Sequence, residues 1–360
     1  MLNANNILSA ISLLFLSAMA SASHISGADV NWEEMGKDTF LITINEYRDC
    51  NSFNNSTPDI FINAKCGTLK VSTTESTPID ITPVCEEQAT RCDSRGVSFQ
   101  YGFELVQVKG IFVATDLIKK GCCNFEITWV KCCRTGRIST GLASKELFVK
   151  ANLNACVNLD LAWDKNEIPM LCLGRDTEIQ FSLTTNHPKD SIAYSCAEPM
   201  RDSSTVIKYG GSYNYKSFIY YLGFPKTNLN LPRGIHLDSL TGQLKFRPMK
   251  VEHTAAAFKA EVFRNGIKIG ETIKDISMVV IKCPDNVPPS ISGFDIGFNT
   301  NDYSRIVCAN ATSKFTFSTT DDDYKDTVRL SSTSTIGDSI VVINPGSKRD
   351  SVHWYWTPDT

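Results

Sequence analysis

Asn265-Gly266 stands between the runs KAEVFR and IKIGET, and it narrows what this chain can become more than any other dipeptide. A two-residue turn of type I′ needs positive φ at both central positions, which Asn and Gly adopt at least cost. The flanking runs therefore fold back on each other as antiparallel strands. A plain two-residue turn sets Val262 opposite Ile269 and puts Phe258, Ala260 and Val262 on one inward face. A second turn device lies just upstream. Asp238 can fold its carboxylate onto the backbone, and Thr241-Gly242 supplies the positive φ of a tight turn. Leu244 and Phe246 then alternate with Gln243, Lys245 and Arg247, and Pro248 ends the strand because it has no N–H to donate. Two hairpins commit residues 231–283 to β structure.

The same alternation recurs elsewhere. Phe40, Ile42 and Ile44 share a face, as do Phe125, Ile127 and Trp129. The Thr-, Ser- and Pro-rich run VSTTESTPIDITPV reads as edge strand and loop, and no long helical pattern competes. CLGRDTEIQFSLTTNHPKDSIAYS from Cys172 and CANATSKFTFSTTDDDYKDTVRLS from Cys308 repeat one another. Each repeat later closes a strand with an aromatic-x-Pro, Phe246-Arg247-Pro248 and Trp356-Thr357-Pro358. Self-similarity of this kind is the mark of a domain array. The expected organisation is a β-rich, cysteine-containing domain over 23–155 and a β-sandwich over 156–283. A proline-rich linker over 284–290 leads to a second, incomplete repeat over 291–360. The fold class is all-β, tandem β-sandwiches.

Thirteen cysteines mean metal in a reducing compartment and disulfides in an oxidising one. The N-terminus decides between them. ILSAISLLFLSAMA is too short to span a bilayer and leads to Ala20-Ser21-Ala22, small residues of the kind a signal peptidase accepts. Residues 1–22 are therefore expected to be a signal peptide, although MLNANN has none of the usual positive charges. All thirteen cysteines lie beyond the cut, which favours a disulfide-stapled, secreted or cell-surface protein. No later apolar run has transmembrane length. A net charge of −3 supplies no basic field for nucleic acid.

Candidate chemistry is sparse. The doublets Cys122-Cys123 and Cys132-Cys133 offer four thiolates to a zinc ion, but neighbouring residues on a strand point to opposite faces, so disulfides are the better reading. Asp321, Asp323 and Asp326 in the loop DDDYKD are candidate ligands for calcium, a hard cation that takes six to eight oxygens. The equivalent loop of the first repeat, Asn186-His187-Pro188-Lys189-Asp190, has one carboxylate. His24, His187, His236, His253 and His353 fall in no metal-binding spacing, and neither a G-x-S-x-G elbow nor a phosphate-binding glycine loop is present. No catalytic residue is assigned, and a glycosidase-type carboxylate pair assembled in space ranks lowest. Tyr213, Tyr215, Tyr220 and Tyr221 form an aromatic patch, read as packing ahead of sugar stacking.

Several linked motifs carry a resemblance. LPRGIHLDSLTGQLKFRP resembles the immunoglobulin-like, cadherin-like repeat of bacterial surface proteins. FRNGIKIGETIKDISMVVIKC is similar to one group of these, the large type IX-secreted surface proteins of gliding bacteria. Their N-terminal module opens with Ser-His and ends a strand in Tyr-Arg-Asp-Cys, which here are Ser23, His24, Tyr47, Arg48, Asp49 and Cys50. WVKCCRTGRIST resembles that module's Cys-Cys-Arg strand. The resemblance implies immunoglobulin-like or cadherin-like sandwiches and strengthens the aspartate loop as a calcium site. It implies a non-catalytic structural or adhesion protein on the outer surface of a bacterial cell, with surface glycans or proteins as partners. The alternative is a carbohydrate-binding module of a larger secreted enzyme.

Overall fold

The computed structural model describes residues 24–50, 58–84, 88–93, 99–164, 166–283, 289–292, 306–321, 327–328, 339–343 and 349–359. The signal-like segment 1–22 lies outside them. The chain forms two compact units, the first ending at Lys282 and the second starting at Cys283.

In the first unit the chain runs through β1 (Ile25–Gly36), β2 (Thr39–Asp49), β3 (Ile60–Ala64), β4 (Gly67–Val71), β5 (Thr73–Glu75), β6 (Ile79–Asp80) and β7 (Phe103–Val113). A single helical turn, α1 (Thr115–Lys119), leads to β8 (Asn124–Lys131) and β9 (Leu147–Asn154). Then follow β10 (Leu161–Trp163), β11 (Met170–Cys172), β12 (Thr177–Gln180), β13 (Leu183–Thr185) and β14 (Ser191–Ala197). The unit closes with β15 (Ile235–Leu237), β16 (Gln243–Phe246), β17 (His253–Arg264) and β18 (Ile267–Ile281). The all-β class read from the sequence is the class found.

One sheet runs in the order β4-β3-β8-β9-β18-β1-β2-β7-β5, with further strands attached along it, and β12-β16-β15 makes a smaller sheet. The pairings are antiparallel except β11 on β18. β18 sits between β9 and β1, so stretches expected to lie in separate domains, 23–155 and 156–283, share one sheet. The physical reason is burial. β18 is covered along nearly its whole length on both faces, which a half-exposed sandwich strand is not. Phe40, Ile42, Ile44, Phe125, Ile127 and Trp129 are all in the core. The Thr- and Pro-rich run lies at the sheet's edge as β5 and β6, both paired with β7.

The Asn-Gly turn is present, with φ of 52° at Asn265 and 78° at Gly266. Arg264 faces Ile267 and Phe263 faces Lys268, but a bulge then sets Val262 opposite Gly270, not Ile269. The extra residue puts a glycine where a Cβ would stand 2.7 Å from Leu159 Cδ2, so the register lets Leu159 pack down on the strand. Upstream, the Asp238 carboxylate accepts from the N–H groups of Leu240 and Thr241, and Gly242 has φ 73°.

Covalent staples tie the outer strands of the sheet, Cys66–Cys122 and Cys123–Cys156 beside β3, β8 and β9 and Cys50–Cys92 beside β2 and β7, with Cys132–Cys133 joined to each other. Cys122 and Cys123 go to different partners, as their position at the start of β8 requires. Cys172 and Cys283 are also disulfide-bonded, while Cys196 and Cys308 are free.

The second unit pairs its strands in the order β19 (Ser290–Ile291), β20 (Ser313–Thr320), β22 (Arg349–Trp356) and β21 (Ser339–Ile343). Here the sequence repeat reappears as geometry. Thr177 faces Phe246 in β12–β16, and Ser313, the matching position counted from the opening cysteine, faces Trp356 in β20–β22. The aromatic-x-Pro segments thus close equivalent ladders in identical register.

Candidate functional site

Two sites stand out in the first unit, one sealed and one open. The sealed one is a polar network in the middle of the large sheet. Asp29 on β1 faces Lys274 on β18, and their side chains meet at 2.7 Å with both groups buried. Asp29 also accepts from Asn31 at 2.7 Å, Asn45 at 2.9 Å and the Tyr47 hydroxyl at 2.6 Å. Lys274 lies over the Tyr47 ring, 4.8 Å from its centroid, and donates to the phenol oxygen at 2.9 Å. Burial, then the Asp29 charge, pushes the Tyr47 phenol well above its ordinary pKa. On the opposite face of β18, Asp275 forms a two-pronged pair with Arg134, 2.7 Å at one prong. Lys131 and Glu46 make a third buried pair at 2.8 Å. Every acceptor lone pair on Asp29 is taken. Such buried, multiply hydrogen-bonded pairs fix strands in place.

The open site is a cleft of about 530 Å³. Among the described residues β14 and β15 each pair on one side only, with β17 and β16, and the turn after β15 reaches β14, where the Tyr194 N–H donates to Ser239 O at 2.8 Å. Residues of both strands line the cleft together with residues 215–216 and 227–228. Tyr194, Ile235 and Leu244 make a buried apolar floor. Tyr215 is half-buried in the wall, with the exposed Lys216 ammonium 5.5 Å from its ring centroid. Asn228, Thr227, Ser195 and His236 supply polar atoms. None of the lining residues is a carboxylate.

The expected site residues are placed as follows. Asp321 is buried at the end of β20, at 6% exposure, while Asp323 and Asp326 lie outside the described residues. Among the described residues no group of three His, Cys, Asp or Glu side chains is arranged to hold a metal. His253 is buried without a hydrogen-bond partner on either ring nitrogen, and burial pushes its pKa down to about 4. The tyrosine patch divides. Tyr213, Tyr220 and Tyr221 surround Phe224 at 5.0, 4.8 and 5.6 Å between centroids, whereas Tyr215 belongs to the cleft. The sequence did not point to the cleft, because its lining comes from five separated segments with no shared spacing. The sealed network left a trace, since Tyr47, Arg134, Lys274 and Asp275 all stand in the motifs that carry the family resemblance.

An all-β, disulfide-stapled chain is thus the class that the fold defines. The chain matches no protein-family model and no curated protein. Among solved structures, a crystal structure of Dpr2 Ig1-Ig2 in complex with DIP-Theta Ig1-Ig3 aligns over 90% of this chain and 85% of that chain, at 7% identity and a TM-score of 0.17. A likeness at that score says nothing of partners. Among the described residues, no helix is long and apolar enough to cross a membrane.

Proposed function

We propose that this is a non-catalytic structural or adhesion protein, secreted and held on the outer surface of a bacterial cell. The observation that carries the reading is covalent. Among the described residues ten cysteines are disulfide-bonded, a state that persists in oxidising compartments and is rare in the cytosol. The signal-like N-terminus and the resemblance to type IX-secreted surface proteins of gliding bacteria support it. So does the sealed network, which spends its ionisable groups on rigidity. A carbohydrate-binding module of a larger secreted enzyme is the second reading, favoured by the aromatic and polar cleft. The test is protease treatment of intact producing cells, followed by detection of this chain. Loss of the chain while cytosolic markers survive is the expected result. A chain that is protected until the cells are lysed would overturn the surface assignment.

A further inference from the structure

The cleft between β14 and β15 has a composition that selects among ligands. Its floor is apolar and buried, one tyrosine ring lies in its wall, and hydroxyl, amide and imidazole groups surround the opening. An apolar base with a few placed polar groups is the anatomy of a small-molecule site, and about 530 Å³ falls within the usual size range. Charge narrows the choice further. Lys216 and His236 line the cleft and no Asp or Glu does, although the chain carries a net charge of −3. With the Lys216 ammonium at its wall and no carboxylate in its lining, the cleft favours an anionic group over a cationic one.

A sugar ring meets each of these features. Its C–H face packs on an aromatic ring, and its hydroxyls exchange hydrogen bonds with amide and hydroxyl side chains. A carboxylate on the sugar adds a charge-assisted contact to an ammonium. We propose that this cleft binds an acidic saccharide, a uronic acid unit of a surface or matrix polysaccharide, with Tyr215 as stacking platform and Lys216 as carboxylate partner. The proposal rests on the reading of the protein as a surface binder and names its ligand class. Binding needs no bond making and no metal.

The experiment is calorimetric titration of the disulfide-bonded, signal-free protein with galacturonic acid trisaccharide, beside the same trisaccharide as its neutral methyl ester. Lys216→Glu and Tyr215→Ala are the site variants. Lys119→Glu, at an exposed lysine on α1, is the control. Lys216 is exposed, so its exchange leaves the core intact, and the melting temperature of each variant checks this. The expected result is binding of the acid form, with losses of roughly tenfold or more on esterification and in Lys216→Glu. Tyr215→Ala should weaken binding of the acid form, and Lys119→Glu should behave as the parent. Absence of binding to the acid form overturns the proposal, and so does equal affinity for acid and ester. Unchanged affinity in Lys216→Glu or in Tyr215→Ala overturns it as well. None of these outcomes touches the surface assignment, which the intact-cell protease experiment decides separately.

Discussion

The stapled outer strands and the β14–β17–β18 ladder solve the same problem by different means. Among the outer strands, β4 is exposed over most of its length and β6 on both residues. Such strands bury too little apolar surface to offset the entropy of ordering them. The disulfides stand there: Cys66 in the turn between β3 and β4, Cys122 and Cys123 at the mouth of β8, Cys92 on the way from β6 to β7. The ladder carries one cysteine, Cys196, and it is a free thiol. Its two long strands, β17 and β18, are paired along their length and largely buried, and β14 pairs with β17 along all seven of its residues. The bridges at Cys66 and Cys92 thus stand beside strands that bury little, whereas Cys132–Cys133 after β8 and the bonded Cys172 on β11 stand beside well-buried strands.

Reduction should break the comparison most sharply. Each native bridge contributes about 2–4 kcal/mol, so reductant should lower the melting temperature strongly. Amide exchange should accelerate in β3, β4 and β8 before it does in β17. Thiol titration of the denatured, unreduced protein should find few free groups. Finding all thirteen cysteines reactive would return them to the metal reading. The next effect belongs to the seam between the two regions. Asp275→Ala leaves the Arg134 guanidinium buried without its carboxylate and should cost about 3–5 kcal/mol in urea denaturation. Arg134→Met/Asp275→Leu together should recover much of that loss. If the double variant is no better than the single one, packing and not charge is what the pair supplies.

His253 lies on the same seam, its carbonyl accepting from Ser139 N–H at 2.8 Å. In the unfolded chain its imidazole protonates near pH 6.5, but in the folded one only near pH 4. Stability from this group is therefore full above pH 6.5 and falls as the pH drops toward 4, by about 3 kcal/mol in all. His253→Gln should flatten that part of the stability–pH curve, and an unchanged slope would assign the acid sensitivity elsewhere. In the ladder itself, Asn265→Pro or Gly266→Val strains a turn that has positive φ at both positions, for about 1–3 kcal/mol. A melting temperature equal to the parent's would mean that the hairpin does not depend on its turn.

Calcium gives the smallest expected effect. Asp321, Asp323 and Asp326 should bind it weakly, at about 10⁻⁴–10⁻³ M. The internal control is the matching loop of the first repeat, where Asp190 already holds Arg264 at 2.7 and 2.8 Å. Equal heats from the full chain and from Asp321→Asn/Asp323→Asn would make this loop an ordinary acidic turn.

Local signals were the legible ones. Period-two alternation located the faces of β2, β8 and β16, and two dipeptide turns located their hairpins. The bulge beside Val262 was not legible, because it answers to Leu159, more than a hundred positions away. The shared sheet was hidden for the same reason. A boundary was expected near residue 155, while the pairing of β9 with β18 leaves no local mark. The cleft is assembled from five segments, and Tyr215, His236 and Leu244 each drew notice separately, Tyr215 as part of a patch that the fold divides.

The position of β18 also dictates when this protein can fold. β1 is made before every other strand of its unit, yet its neighbour on one side is 245 residues downstream, at the Lys274–Asp29 contact. Until β18 arrives, β1, β9 and β17 each lack one of their neighbours, and β11 lacks the strand it pairs with. The first unit therefore stays open through most of its own synthesis and closes only when its last strand is in place. For a chain that crosses a membrane unfolded, that delay is an advantage.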